Sequence, residues 1–125
     1  MASVPSNLPP AKHPRRDLQH ILDNIASLRA YTKGMDKDSF AADQRTMDAV
    51  ERCLGRLTEA AKRLGGTAEE LVPDIPWRKI CGLGDILRHN YDNVSLETIW
   101  QIVTGGLDDL ERACRDALAK LPPGP

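Results

Sequence analysis

The chain has 125 residues with 17 basic and 18 acidic side chains and a formal net charge of −1. Balanced, interspersed charge excludes a broadly DNA-coating protein but leaves room for a local patch that holds RNA. One Phe, two Tyr and two Trp are too few for the base-stacking platforms of single-strand binders.

Met1 to about His13 carries Pro5, Pro9 and Pro10 among Ser and Asn and reads as a disordered or loosely docked tail. It lacks the hydrophobic block of a signal peptide, and no apolar run in the chain is long enough to cross a bilayer, so the cytoplasm is the expected location. Pro14 suits the opening of a helix, where its missing N–H costs nothing. Leu18, Ile21, Leu22, Ile25 and Leu28 then mark an apolar stripe through about Tyr31, and Gly34 is the expected stop.

Phe40 is an expected apolar lid where the second helix begins, with Asp36, Asp38 or Ser39 as its cap. Met47, Val50, Leu54, Leu57, Ala61 and Leu64 form one face of that helix, broad enough to need a partner helix or a second copy of the chain. Asp43, Asp48, Glu51 and Glu59 read as surface carboxylates. Glu59 stands out because it sits inside a small, apolar run and is a possible supporting group for a site. Gly65-Gly66 is expected to end the helix, and Thr67 to Leu71 to form a short turn with a Thr67–Glu70 capping box. Pro73 and Pro76 limit any helix through the connector, and Trp77 reads as a core anchor.

The stretch from Trp77 to Tyr91 combines helical periodicity (Trp77, Ile80, Leu83 or Gly84, Leu87) with the chain's compact cluster of chemically able side chains. Asp85 and His89 are four apart, within hydrogen-bond reach on one helix face. A carboxylate there fixes the imidazole tautomer and suits His89 to acid–base work near neutral pH. Arg88 lies about 100° round the helix from His89, and pairing with Asp85 or Asp92 is open to it. Gly82 and Gly84 each cost about 1 kcal/mol in a helix interior. They imply either a broken helix or a neighbour approaching too closely for a side chain.

Asp92-Asn93-Val94-Ser95 is an expected turn, in which Ser95 caps a helix carrying Leu96, Ile99, Trp100 and Val103. Gly105-Gly106 separates it from a last helix on Leu107, Leu110, Ala113 or Cys114, Ala117 and Leu118, and residues 121–125 form a proline-rich tail. Cys53, Cys81 and Cys114 are widely separated and fall at apolar positions, which suggests free thiols in a reducing compartment. No paired Cys or His spacing anchors a metal, and no motif calls for a cofactor. The expected fold is all-α: an up-down four-helix bundle over residues 14–120, with an additional short or C-terminal helix.

From about Arg16 to Leu118 the chain resembles the HepT-like toxins of the HEPN superfamily. The likeness rests on L-x-x-I-L-x-x-I at Leu18–Ile25, Phe40-x-x-Asp43, Asp48-Ala-Val50, Glu59-Ala60, Ile75-Pro-Trp77, Ile80, Gly82-Leu83, His89-x-Tyr91, Val94 and Ile99-Trp100. RNA-cutting members carry an arginine, then Asn, Asp or His, three residues, His, x and Tyr. On this chain those positions are Gly84, Asp85, His89 and Tyr91, so the phosphate-gripping arginine is replaced by glycine, and Arg88 is the cation nearest in sequence. The resemblance implies a metal-independent endoribonuclease, with His89, Arg88 and Asp85 catalytic, acting on RNA through its 2′-hydroxyl. It also implies a homodimer and an MntA-like nucleotidyltransferase antitoxin that adenylylates Tyr91. The alternative, favoured by Gly84, is a catalytically inactive HEPN module that binds RNA or a partner protein.

Overall fold

A computed structural model describes residues 11–89 and 95–122, with the backbone alone at positions 88 and 89. It contains six helices among the described residues: α1 (Pro14–Thr32), α2 (Lys37–Ala41), α3 (Gln44–Leu71), α4 (Trp77–His89), α5 (Leu96–Gly105) and α6 (Leu107–Lys120). The all-α expectation holds, and α2 and α5 are the short additions to four longer helices. The expected turn at Asp92–Val94 and most of the expected N-terminal tail lie outside the described residues.

Contacts between distant residues fix the order and direction of the bundle. The first turn of α1 meets the end of α3 through Arg63 Nε, which donates to Asp17 Oδ1 at 3.0 Å. The backbone N–H of Ala11, just ahead of α1, donates to Thr67 Oγ1 at 2.9 Å. Helices α1 and α3 are therefore antiparallel. Arg15 at the start of α1 reaches the carbonyls of Leu118 and Leu121 that end α6, while Arg29 near the end of α1 binds Asp108 and Glu111 at the start of α6. That makes α1 and α6 antiparallel as well. Arg78 faces Glu69, and Gly84 faces Thr58, so α4 runs back along α3. The long helices stand in the order α4, α3, α1, α6 and alternate in direction.

The stripes read from the sequence supply the core. Leu18, Ile21, Ile25 and Leu28 of α1 and Val50, Leu54, Leu57, Ala61 and Leu64 of α3 are all buried, joined by Leu107, Leu110, Cys114 and Ala117 of α6. Phe40 of α2 is 1 % exposed and stacks on Trp100 of α5 with ring centroids 5.1 Å apart. The lid predicted at Phe40 thus closes one end of the core and belongs to a separate short helix. Asp36 caps α2 in a reciprocal box with Ser39, and Asp43, expected to be a plain surface carboxylate, caps α3 by accepting from Thr46. Ser95 caps α5 as expected.

The expected stop at Gly65-Gly66 is found within α3: Gly65 takes φ 52, ψ −132, which breaks the helical path, and a second short helical segment follows the kink to Leu71. A positive φ needs glycine, and burial of Gly65, Gly66 and Ala68 holds the bent turn in place. The expected Thr67–Glu70 capping box is corrected: the Thr67 hydroxyl lies just inside this second segment and instead accepts the Ala11 N–H. The continued turn ends at Val72, whose carbonyl accepts the Trp77 indole N–H at 2.8 Å. With Trp77 4 % exposed, this fastens the start of α4 as a core anchor.

Of the two readings of the α4 glycines, the structure favours close approach at Gly84. Helix α4 is unbroken through both, and a Cβ at Gly84 would lie 2.4 Å from Thr58 Oγ1 and 2.7 Å from Thr58 Cβ. Thr58 is itself 1 % exposed and donates to the Gly55 carbonyl, so it has nowhere to move. Nothing lies within 4 Å of a Cβ at Gly82, and the packing does not explain that glycine.

Gly84→Ala should therefore destabilise the protein by about 1–3 kcal/mol through overpacking, although alanine is the better helix former. In a Thr58→Gly background the same change should cost much less. Urea unfolding of the four chains of this double-mutant cycle measures the coupling, and an equal cost in both backgrounds would refute the contact.

The carboxylates that hold the helix ends also set an acid limit. Backbone N–H groups of Ser39 and Thr46 lower the carboxyls of Asp36 and Asp43 below their ordinary range, and the Arg29 and Arg115 side chains do the same for Glu111. Their folded pKa values lie below the unfolded ones, so their stabilisation is present above an unfolded pKa of about 4 and is lost as pH falls through the folded values. The melting temperature is expected to drop as pH is lowered below about 4. Asp43→Asn, which keeps the cap but cannot titrate, should flatten that fall, as thermal melts across the acid range will measure.

Candidate functional site

Helix α4 turns Asp85 outward because its other face is committed to α3. Trp77 and Gly84 are buried, Ile80, Cys81 and Leu87 pack against the core, and Asp85 comes out on the exposed side. The Asp85 carboxylate lies 3.7 Å from the Lys62 ammonium of α3, with the two side chains 56 % and 53 % exposed. Lys62 is one helical turn beyond Thr58, so the residue that seals α4 against α3 and the residue that reaches round to Asp85 share one side of α3. An ion pair this open contributes little stability, typically about 0.2–1 kcal/mol, and exchanges readily for another anion.

Cys81 lies one turn before Asp85 and senses the same charges. Burial raises its thiol pKa most, the Asp85 carboxylate raises it further, and Lys62 pulls the other way. Burial also raises Cys53, and pushes Cys114 up to about 12. All three cysteines are free thiols, with Cys53 and Cys114 buried and Cys81 half-buried. None is poised as a thiolate nucleophile.

Arg88 and His89 occupy the last turn of α4, and His89 ends the helix. Their side chains, and Tyr91 as a whole, lie outside the described residues. The Asp85–His89 spacing is helical, as the sequence requires for the two to share a face. Since α4 runs antiparallel to α3 with Gly84 opposite Thr58, its last turn passes alongside α3 on the N-terminal side of Thr58.

Glu59 is half-buried on α3 and lines a polar groove of about 440 Å³ between α1 and α3, together with His20, Asp23, Asn24, Ser27, Arg56 and Arg63. It therefore borders both this groove and the Lys62 side of α3. A second groove of about 480 Å³ runs between α3, the start of α4 and the α5–α6 corner. Leu54, Leu57, Ile80, Leu83 and Ile102 make it largely apolar, with Asp74, Lys79 and Asp109 also in its lining.

Sequence reasoning missed two residues here. The sequence by itself gives no sign of a role for either Thr58 or Lys62 of α3. Their spacing of four residues, matched to Gly84-Asp85, was the available signal, but it becomes legible only once α3 and α4 are known to be neighbours. Among the described residues, no group of three or more His, Cys, Asp or Glu is placed to hold a metal ion, and no helix is long and apolar enough to cross a membrane.

Comparison with known proteins gives this geometry its family. The model of the family described as "Ribonuclease HepT-like" matches residues 21–117, from α1 into α6. A Caldanaerobacter subterraneus subsp. tengcongensis protein named as a candidate RNase, TTE0752, is 32 % identical over 109 residues, covering 87 % of this chain and 97 % of its own length. A candidate RNase of Methanocaldococcus jannaschii, MJ0127, is 36 % identical over 94 residues, 75 % of this chain and 78 % of that protein. A Thermococcus cleftensis protein named "Probable ribonuclease HepT" is 30 % identical over 94 residues, covering 75 % of this chain and 86 % of its own. No solved structure gives a significant match. With the family match reaching from within α1 through α5 into α6, the chain belongs to the HepT-like ribonuclease family.

Proposed function

We propose that this protein is a HepT-like ribonuclease toxin that cleaves RNA at the end of α4 by attack of the ribose 2′-hydroxyl on the adjacent phosphate. The observation that carries this reading is the family match across residues 21–117, joined to an exposed Asp85 one helical turn before His89. In the proposed reaction His89 takes the 2′-hydroxyl proton or gives a proton to the leaving 5′-oxygen. The 2′-oxygen forms a bond to phosphorus, the bond to the 5′-oxygen breaks, and a cyclic phosphate and a 5′-hydroxyl end result. Asp85 orients the imidazole. Positive charge must meet the phosphorane-like transition state.

The family arginine cannot supply that charge, because position 84 is closed by Thr58. Arg88, one residue before His89, takes the role from the chain's own helix. Lys62 supports it from α3, since its ammonium already sits beside the Asp85 carboxylate and can trade that partner for a phosphate oxygen. Cells restrain such an enzyme. In this reading an MntA-like nucleotidyltransferase antitoxin adenylylates Tyr91 and sets a negative phosphate where RNA must bind. The active form is a homodimer in the cytoplasm, a location that the three free thiols suit.

A second reading, a HEPN module that holds RNA or a partner protein without cutting, is favoured by one observation, the sealed arginine position at Gly84. Purified protein is expected to cut cellular RNA to cyclic-phosphate ends, with His89→Ala lowering the rate at least 100-fold, as loss of a general acid–base does. Absence of cleavage by a folded wild-type protein favours the second reading.

Lys62→Gln is expected to lower kcat/KM about tenfold or more, on the scale of a lost charge-assisted contact of roughly 1.5–3 kcal/mol, while Lys62→Arg retains most of it. A Lys62→Gln enzyme as fast as wild type would remove Lys62 from the site and leave Arg88 as its cation.

A further inference from the structure

Arg45, Arg52, Arg56 and Arg63 follow one another along α3 at spacings of seven, four and seven residues. At 100° per residue these spacings put all four within about 40° of one line, over a length of about 27 Å. All four are exposed, on the side of α3 turned away from Val50, Leu54, Leu57 and Ala61 in the core. We infer that this arginine stripe, with the polar α1–α3 groove beside it, is a track that binds single-stranded RNA and leads it to the end of α4, an inference that rests on the ribonuclease reading above.

The stripe is costly without such a ligand. Arg52 and Arg56 are four residues apart on one helix, a like-charge pair that destabilises an isolated helix by about 0.2–0.5 kcal/mol. Among the described residues, neither they nor Arg45 form an ion pair, whereas Arg63 is committed to the buried Asp17 carboxylate and contacts His20 Nδ1. Three arginines are thus left as planar, multidentate donors facing solvent, the chemistry that grips phosphate.

The acidic neighbours do not cancel the stripe. Asp48 accepts from Gln44 at 2.8 Å, Asp43 beside Arg45 is taken up in capping α3 at Thr46, Asp23 in the groove accepts from Gln19 at 2.9 Å, and Glu59 lies at the edge of the line, facing the groove. That groove, of about 440 Å³, offers Asn24, Ser27 and His20 to base edges, and the basic surface continues past Arg63 to Arg16 and Lys12 at the start of α1. The α4-facing side of α3, marked by Thr58 and Lys62, is roughly 100–140° away round a helix about 10 Å across. An RNA strand on the stripe therefore reaches the α4 site by crossing a span on the order of 10 Å.

The test measures binding of a fluorescent, single-stranded 2′-O-methyl oligouridine, which cannot be cut through its 2′-oxygen, to the full chain over a series of salt concentrations. Arg52→Gln with Arg56→Gln is expected to weaken binding about tenfold at low salt and to make the salt slope shallower by about 1.4, the release expected for two single-strand phosphate contacts. Arg112→Gln with Arg115→Gln, which removes the same charge from α6, should leave both nearly as in wild type.

Equal effects of the two double variants, or wild-type affinity in the stripe variant, overturn the track. If RNA affinity is unchanged while the stripe variant alone loses binding to polyglutamate, the stripe is a docking face for an acidic protein, which overturns the track as well. Stripe-dependent binding by a wild-type chain that leaves unmodified RNA intact upholds the track and refutes the ribonuclease reading instead.

Discussion

The separation between α3 and α4 is set by two atoms' worth of space at Thr58 and Gly84. A single added carbon at position 84 would sit 2.4 Å from the Thr58 hydroxyl oxygen. This contact decides how close α4 lies, which face it turns outward, and that no side chain of any kind can project from position 84, where the resemblance read from the sequence would put the motif arginine. Interiors packed to crystal density do not yield by such amounts without cost. The glycine is therefore structural, and any cation serving the site has to come from another position.

Two polar fastenings hold the rest of the bundle around that pair. Asp17, 5 % exposed in the first turn of α1, binds Arg63 near the end of α3 and is favoured there by the helix dipole. The Arg29 guanidinium bridges Asp108 and Glu111 across to α6, which raises its own pKa and lowers that of Glu111. Apolar stripes drive association but are tolerant of sliding by a turn. Charged hydrogen bonds at both ends of α1 select one register and so fix where the ends of α3 and α4 fall.

The proposed chemistry follows from this frame. Asp85 is exposed because the opposite side of α4 is consumed by Trp77, Ile80 and Gly84, and Lys62 meets it because it stands one turn from Thr58 on the same side of α3. The arginines of α3 lie on its exposed side, turned away from the core and bordering the groove against α1. One helix thus carries the core on one face, the partner of Asp85 on another and a basic line on a third.

By itself the sequence determined the helices, their apolar faces, the caps at Pro14 and Ser95, the anchoring role of Trp77 and the order of motif residues along α4. These are local properties, written in a period of 3.6 residues and in side chains that bond their own backbone. Tertiary structure alone decided how the short turn after the break at Gly65 is held, with Gly66 and Ala68 buried. It also decided that Thr67 tethers Ala11, that Gly84 yields to Thr58, and that Lys62 joins Asp85. Each of these depends on a neighbour dozens of residues away, and no local pattern encodes which helix that neighbour belongs to.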